Sequence, residues 1–380
     1  MNIPRVIKAF PSLDVRSIFK RRTSNDPVLG RDGIRFYASG RAALFHVIKS
    51  LELPRGSVIL LPSFHCGVEV EAVIRAGCGV DFYTIDRTLC VDRRSLLDKL
   101  GANTKGVVVA HFFGFPQEIP ELRDLCRERN ICLIEDCAHA MYSRDRSGMW
   151  LGTEGDFGVY SMRKTVFMPD GGAVLTNCRG TERPDGGERH FSLVPFKAAA
   201  RSAIEHEADR DGVAARLSRR VLDWHGTRGH TGDGPADPLW YYDVPHLDYR
   251  RAMSGLSSCL TGKERHDDIV ERRRNNYRAL EQLLRPRWSG DFVFPELPDG
   301  TCPLCFPLFT RERDAVAVRM VEMGVEPFVF GRHSHPLLPA AEFPEAGFLA
   351  AHILGLPVHQ QMAPEDAAIV ADVLTRAQGR

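Results

Sequence analysis

No hydrophobic run in this sequence reaches the ~20 residues that a membrane-spanning helix needs. Charge of one sign is also missing. Fifty Lys and Arg against 49 Asp and Glu leave a formal net charge of +1, so no basic field points to nucleic acid. Internal repeats and low-complexity tracts are absent, which argues against a solenoid or a fibrous chain. Met1 to Phe19 carries Arg5 and Lys8 but no apolar core leading to a small-residue cleavage site, so a signal peptide is not expected. Ten cysteines are present, yet they form no metal-binding pattern. Cys302 and Cys305 have C-x-x-C spacing, but no second ligand pair is evident nearby, and the expectation is a buried strand over 303–308. Cys78, Cys132 and Cys137 lie inside apolar runs, where a free thiol acts as a small hydrophobe, and a reducing cytoplasm fits best.

What remains is ordinary globular composition, 43% hydrophobic and 26% charged over 380 residues. That is enough chain for one large domain and a smaller one. Apolar spacing predicts a helix over 40–52, with Ser39 and Gly40 at its start. Strands are expected at 57–61, 80–85, 106–112 and 131–135, with helices at 68–76, 94–100 and 119–129 between them. Two more strands are expected at 155–161 and 172–176. Strands that are apolar throughout and alternate with helices imply a parallel sheet covered on both faces. The pattern weakens between about 178 and 240, where 198–222 reads as a basic amphipathic piece. Residues 253–284 read as one long Arg-rich helix. The last hundred residues alternate short strands with helices, ending in a helix over 364–377. The expected division is a large α/β domain over 1–245, with an N-terminal arm and an irregular 180–240 segment, and a small α/β domain over 246–380.

Four residue patterns together suggest pyridoxal phosphate (PLP) chemistry. That chemistry needs a lysine for the carbonyl, a carboxylate for the pyridine nitrogen, an anion cradle for the phosphate and a surface for the ring. Lys164 lies in a short loop after a strand, seven residues before Gly171-Gly172; alone it would read as a solvated surface lysine. Asp136 ends an apolar strand, where ligands bind in open α/β sheets, although an Asp there is often a helix N-cap. His139 could meet the cofactor or serve as a structural contact. Ser39-Gly40-Arg41 opens a helix, whose amides bind phosphate, and Ser161 could add a hydroxyl. Arg163 is a charge partner or simply exposed. Phe64 and His65, after Pro62, could stack on a ring or pack a loop.

Taken together these segments resemble the DegT/StrS-type family of nucleotide-sugar aminotransferases, which have the aspartate-aminotransferase (type I) PLP fold. The matching stretches are Ser39-Gly40-Arg41-Ala42-Ala43-Leu44, Leu61 to His65, Val107 to Gly114 and Ile134 to Ala140. They continue through Gly155-Asp156, Ser161 to Lys164, Asp170 to Val174 and Leu356 to His359. The resemblance implies that Lys164 is the Schiff-base lysine and general acid/base, and that Asp136 pairs with the pyridine nitrogen. It implies further that His139 sits against the cofactor and that Gly40, Arg41 and Ser161 hold the phosphate. The implied reaction moves an amino group from an amino acid, usually glutamate, to a keto-sugar on a nucleotide, in a homodimer. Such enzymes serve surface-polysaccharide or secondary-metabolite sugar biosynthesis. Lys164 is Ser161 plus three, where many members have Ser plus five. Arg41 replaces a small hydroxyl residue, Cys66 stands where a stacking aromatic is usual, and Leu247 to Met253 matches a family segment only loosely. The alternatives are a PLP- or pyridoxamine-phosphate-dependent sugar dehydratase on the same fold, and a non-catalytic regulator or scaffold.

Overall fold

A computed structural model describes residues 6–22, 26–178, 184–189, 192–208, 218, 249–288 and 290–379. The later part of the amphipathic piece predicted over 198–222, most of the irregular 180–240 segment, and Leu247 and Asp248 lie outside the described residues.

The core is a seven-stranded sheet in the order β1-β7-β6-β5-β4-β2-β3. Its strands are β1 (Ile34–Tyr37), β2 (Val58–Pro62), β3 (Gly79–Tyr83), β4 (Thr104–Ala110), β5 (Cys132–Asp136), β6 (Phe157–Ser161) and β7 (Gly172–Thr176). The block from β3 to β6 is parallel, while β7 runs antiparallel to β6 and β1 antiparallel to β7. The central strands are apolar throughout because helices cover the sheet. Val107, Val108, Val109, Leu133 and Ile134 are all buried. The helices are α1 (Val15–Ile18), α2 (Gly40–Ser50), α3 (Val68–Arg75), α4 (Arg93–Lys99), α5 (Ile119–Glu128), α6 (Met162–Thr165) and α7 (Val194–Ala208).

The single helix predicted over 253–284 is two helices, α8 (Gly255–Leu260) and α9 (His266–Leu284). Gly262, at φ +74, ends the first run with a left-handed turn. Ser254 caps α8 by accepting from the Ser257 amide, and it also donates its hydroxyl to Asp170 at 2.7 Å. The strand predicted over 106–112 starts at Thr104 and stops at Ala110, because the chain turns at Phe113 (φ 55) and Gly114 (φ 99). Beyond α9, β8 (Cys305–Phe309) and β9 (Ile353–Pro357) form a two-stranded antiparallel sheet. It packs with α10 (Arg313–Glu322), α11 (Pro344–His352) and α12 (Asp366–Gln378). Residues 251 and 252 hydrogen-bond with the large sheet, whereas Ile7 bridges to Val325 and Ser12 to Gln361. Among the described residues, no helix is long and apolar enough to cross a membrane.

Gly172 is required by close approach. A Cβ there would lie 2.2 Å from the backbone of Ser39 and 2.4 Å from Gly40 N, so β7 can pass the start of α2 only as glycine. Gly172→Ala is expected to push the first turn of α2 away and to lower stability by about 1–3 kcal/mol. Urea unfolding of both proteins measures this.

Candidate active site

β4, β5 and β6 run parallel and end side by side, which creates a crevice at their carboxyl ends. Asp136 is the last residue of β5. Ser161 is the last of β6, and the one-turn helix α6 that follows carries Lys164. Lys164, Asp136, His139, Phe64 and His65 all line one pocket there, with Glu69, His111 and Phe330. The lysine therefore does not lie on the solvated surface. The predicted residues fall into two groups, this pocket and the cluster at the start of α2.

Lys164 Nζ lies 2.9 Å from His139 Nε2. The Phe113 amide donates to the other ring nitrogen, Nδ1, at 3.3 Å. Burial, then the nearby Lys164, holds the His139 pKa well below its ordinary value, so the ring is neutral. The Lys164 amine and His139 Nε2 share a hydrogen bond whose direction follows the ring's tautomer. Phe113 adopts its left-handed conformation to aim that amide, and its ring stacks on His139 at 5.5 Å and 11°. The edge of Phe330 closes the other side, 4.8 Å from His139. The pocket is narrow, about 20 Å³.

Asp136 Oδ1 accepts the Ala138 amide at 2.8 Å, a local turn rather than a helix cap, which leaves Oδ2 for a ligand. Burial, then the charge of Glu69, pushes its pKa up to about 6. A carboxylate in that state is stabilised by a cation placed beside it. Phe64 is buried against Phe112 and Phe330, with ring centroids 5.5 and 5.1 Å away. His65 donates Nδ1–H to Pro62 O at 3.0 Å and stacks on Phe82 at 5.3 Å, so both residues wall the pocket while packing the loop. Cys66 donates its thiol to Glu69.

The second cluster adjoins Ser161. Ser39 caps α2 by accepting the Ala42 amide, and the Ala43 amide bonds to Ser39 O. The amides of Gly40 and Arg41 remain as first-turn donors of the kind that bind phosphate. A Cβ at Gly40 would come within 3.2 Å of Ser161 Cβ, so its absence leaves the backbone close to that hydroxyl. Arg41 turns its guanidinium to the Tyr249 ring, 6.0 Å from the centroid, and its Nη1 is buried without a hydrogen-bond partner.

Beneath Asp136, His111 donates Nε2–H to Glu135 at 2.9 Å, and Glu135 also accepts the amides of Gly152, Glu154 and Gly155. Burial raises the Glu135 pKa, but these donors more than offset it and the net shift is downward. Glu135, His111 and Cys137 lie close enough to resemble a metal site. Four donors on one carboxylate account for the group without an ion. Glu135→Leu would orphan three amides, two of them buried, and is expected to cost about 3 kcal/mol or more in urea unfolding.

A larger cavity, about 740 Å³, is lined by Lys8, Lys263, Glu264, Arg272 and Gln360 among others and holds neither Lys164 nor Asp136. The residues of the smaller pocket and of the cluster at Ser161 suit PLP: an amine, a carboxylate that a neighbouring cation would stabilise, aromatic walls, and a glycine cradle with a hydroxyl. The sequence did not single out Phe330, Glu69 or His111 for this pocket. Phe330 comes from the far end of the chain, and only its place in an apolar run before Gly331 marks it.

The chain resembles known proteins along most of its length. Residues 35–183 match the model of the DegT/DnrJ/EryC1/StrS aminotransferase family. A dTDP-4-dehydro-2,3,6-trideoxy-D-glucose 4-aminotransferase of Saccharopolyspora spinosa is 27% identical over 361 residues, covering 90% of this chain and 83% of that protein. A UDP-N-acetyl-3-dehydro-alpha-D-glucosamine 3-aminotransferase of Acidithiobacillus ferrooxidans is 29% identical, covering 89% and 82%. Among solved structures, the aminotransferase TlmJ from Streptoalloteichus hindustanus superposes with a TM-score of 0.69 at 23% identity, covering 98% and 99% of the two chains. Helicobacter pylori PseC does so with a TM-score of 0.70 at 14% identity, covering 99% of each chain. The two structures show the fold, the expected mostly parallel α/β architecture. The match over residues 35–183 and the two relatives aligned over most of the chain make it similar to aminotransferases of the DegT/DnrJ/EryC1/StrS family.

Proposed function

We propose that this chain transfers an amino group from an amino acid, glutamate by preference, to a keto-sugar carried on a nucleotide, with PLP as cofactor. The observation that carries the cofactor reading is the meeting of Lys164, Asp136 and His139 in one pocket at the strand ends. The acceptor reading rests on the relatives, whose names specify nucleotide-linked keto-sugars. A homodimer in the cytoplasm is part of the same reading. Phe19, Leu193 and Val194 are large apolar side chains exposed on this chain, and they offer a surface for a second copy to cover.

PLP, when bound, supplies an aldehyde that condenses with an amine and a protonated ring that takes up the electron pair of a broken C–H bond. The residues divide that work. Lys164 Nζ would be the amine that condenses with that aldehyde, and His139 Nε2, 2.9 Å away, would orient it. Asp136 Oδ2 would keep the ring nitrogen protonated. The Gly40 and Arg41 amides, with the Ser161 hydroxyl, would hold the phosphate. Phe64, Phe112 and Phe330 keep water from the reacting carbon. Lys164 Nζ would also be the group that moves a proton at the substrate carbon beside the cofactor, in either direction of the transfer.

The test is mass spectrometry of keto-sugar nucleotides incubated with the protein, PLP and glutamate. The expected product has the carbonyl oxygen replaced by an amino group, with glutamate converted to its keto acid. Consumption of glutamate amine without any aminated sugar would overturn the acceptor reading.

A further inference from the structure

Arg273 is buried in α9, yet among the described residues no carboxylate lies within ion-pair distance of it. All its donors go to neutral oxygens of three separate segments. Nη2 donates to Thr165 O at 2.9 Å and to Lys164 O at 3.4 Å. Nη1 donates to Pro303 O at 3.1 Å and Leu304 O at 3.2 Å. Nε donates to Gln360 Oε1 at 3.0 Å, just after β9. Gln360 Nε2 in turn donates to Thr165 O at 3.1 Å and to Glu264 at 3.0 Å.

The lysine turn needs such support. Helix α6 is four residues long, too short to hold itself by its own hydrogen bonds. Its last carbonyls, those of Lys164 and Thr165, have no acceptor role within the helix. A cation is the favoured partner at a helix C-terminus, and the planar guanidinium fork fixes direction as well as distance. Arg273 and Gln360 therefore grip the backbone at and beside Lys164, and they tie it to 303–304 and to the end of β9. Phe330, which closes the pocket over His139, belongs to the same C-terminal part of the chain as Gln360.

We propose that Arg273, with Gln360, is a positioning residue that sets where Lys164 presents its amine. This rests on the reading of Lys164 above. A misplacement of about 1 Å at a reacting group costs up to roughly a hundredfold in rate. The test uses full-length wild type, Arg273→Lys and Gln360→Ala. PLP is added to cofactor-free protein, samples are reduced with borohydride at timed intervals, and peptide mapping locates the label. Urea midpoints, kcat and KM are measured alongside. Both variants are expected to label Lys164 roughly tenfold or more slowly, with a matching loss of kcat and a KM for the donor within about twofold. Equal labelling rates and equal kcat, with only a lowered urea midpoint, would reduce Arg273 to a structural role and overturn the proposal. If Arg273→Lys does not fold, Gln360→Ala, which leaves the guanidinium in place, decides in the same way. Label on another lysine in the wild type would overturn the reading of Lys164 itself, an outcome distinct from equal labelling of Lys164 in all three proteins.

Discussion

Replacing Lys164 with alanine is expected to abolish turnover, with a loss on the order of a thousandfold or more, while the protein still folds and still binds PLP without a covalent bond. The reason is local. Lys164 Nζ is the amine in the pocket, and its one close polar partner is His139 Nε2. Removing it leaves no group there able both to condense with an aldehyde and to move a proton at the adjacent carbon. His139 cannot substitute, because burial and the packing of Phe113 and Phe330 hold it neutral and fixed. The variant's absorbance spectrum should be that of free PLP, and steady-state assays should show no aminated product. A spectrum and rate like those of the wild type would remove Lys164 from the mechanism.

Asp136→Asn is expected to have opposite effects on the cofactor-free and cofactor-bound protein. In the cofactor-free protein the Asp136 pKa is about 6, above the ~3.9 of an unfolded aspartate. A group whose pKa is raised on folding stabilises the fold below its unfolded pKa. That contribution is lost as pH rises from about 4 to about 6, because the buried carboxylate must then carry its charge beside Glu69. The difference is up to about 3 kcal/mol at neutral pH, less in so far as Asp136 is partly open to the pocket. Asparagine stays neutral and its oxygen can still accept the Ala138 amide. The cofactor-free variant should therefore unfold at higher urea than wild type at pH 7.5, and the gain should vanish by about pH 4. With PLP present the order reverses, because the variant cannot hold a proton on the ring nitrogen. PLP affinity and kcat should both fall, by roughly a hundredfold in kcat. A cofactor-free variant no more stable than wild type at pH 7.5 would contradict the burial of that charge.

Much of this was legible in the sequence because it depends on local pattern. Unbroken apolar runs such as Val107–Val109 and Leu133–Ile134 define parallel strands buried on both faces, and Asp136 and Ser161 take their places from where such runs stop. Ser39 before a helical repeat gives the cap, and Gly172 gives the close approach. Other features depend on pieces distant in sequence. Phe330 reaches the pocket from the C-terminal part of the chain, and Glu69 enters it from α3, which packs against β2 and β3. The break after α8 carried a signal, Gly262, that the Arg-rich helical pattern around it outweighed. Arg273 also had one. Ile269, Arg273, Tyr277, Leu280 and Leu284 share one buried helix stripe, and an arginine in an apolar stripe calls for acceptors elsewhere in the fold. The reversed direction of β7 follows from a connection too short for a parallel crossover between β6 and β7.

The most direct test of the account is to reduce the wild-type protein with borohydride in the presence of PLP and to sequence the labelled peptide by mass spectrometry. The account predicts a single phosphopyridoxyl group on Lys164, in the peptide that follows Ser161-Met162-Arg163, and its disappearance when glutamate is added before reduction. A label spread over surface lysines, or one on Lys164 that glutamate leaves unchanged, would contradict it.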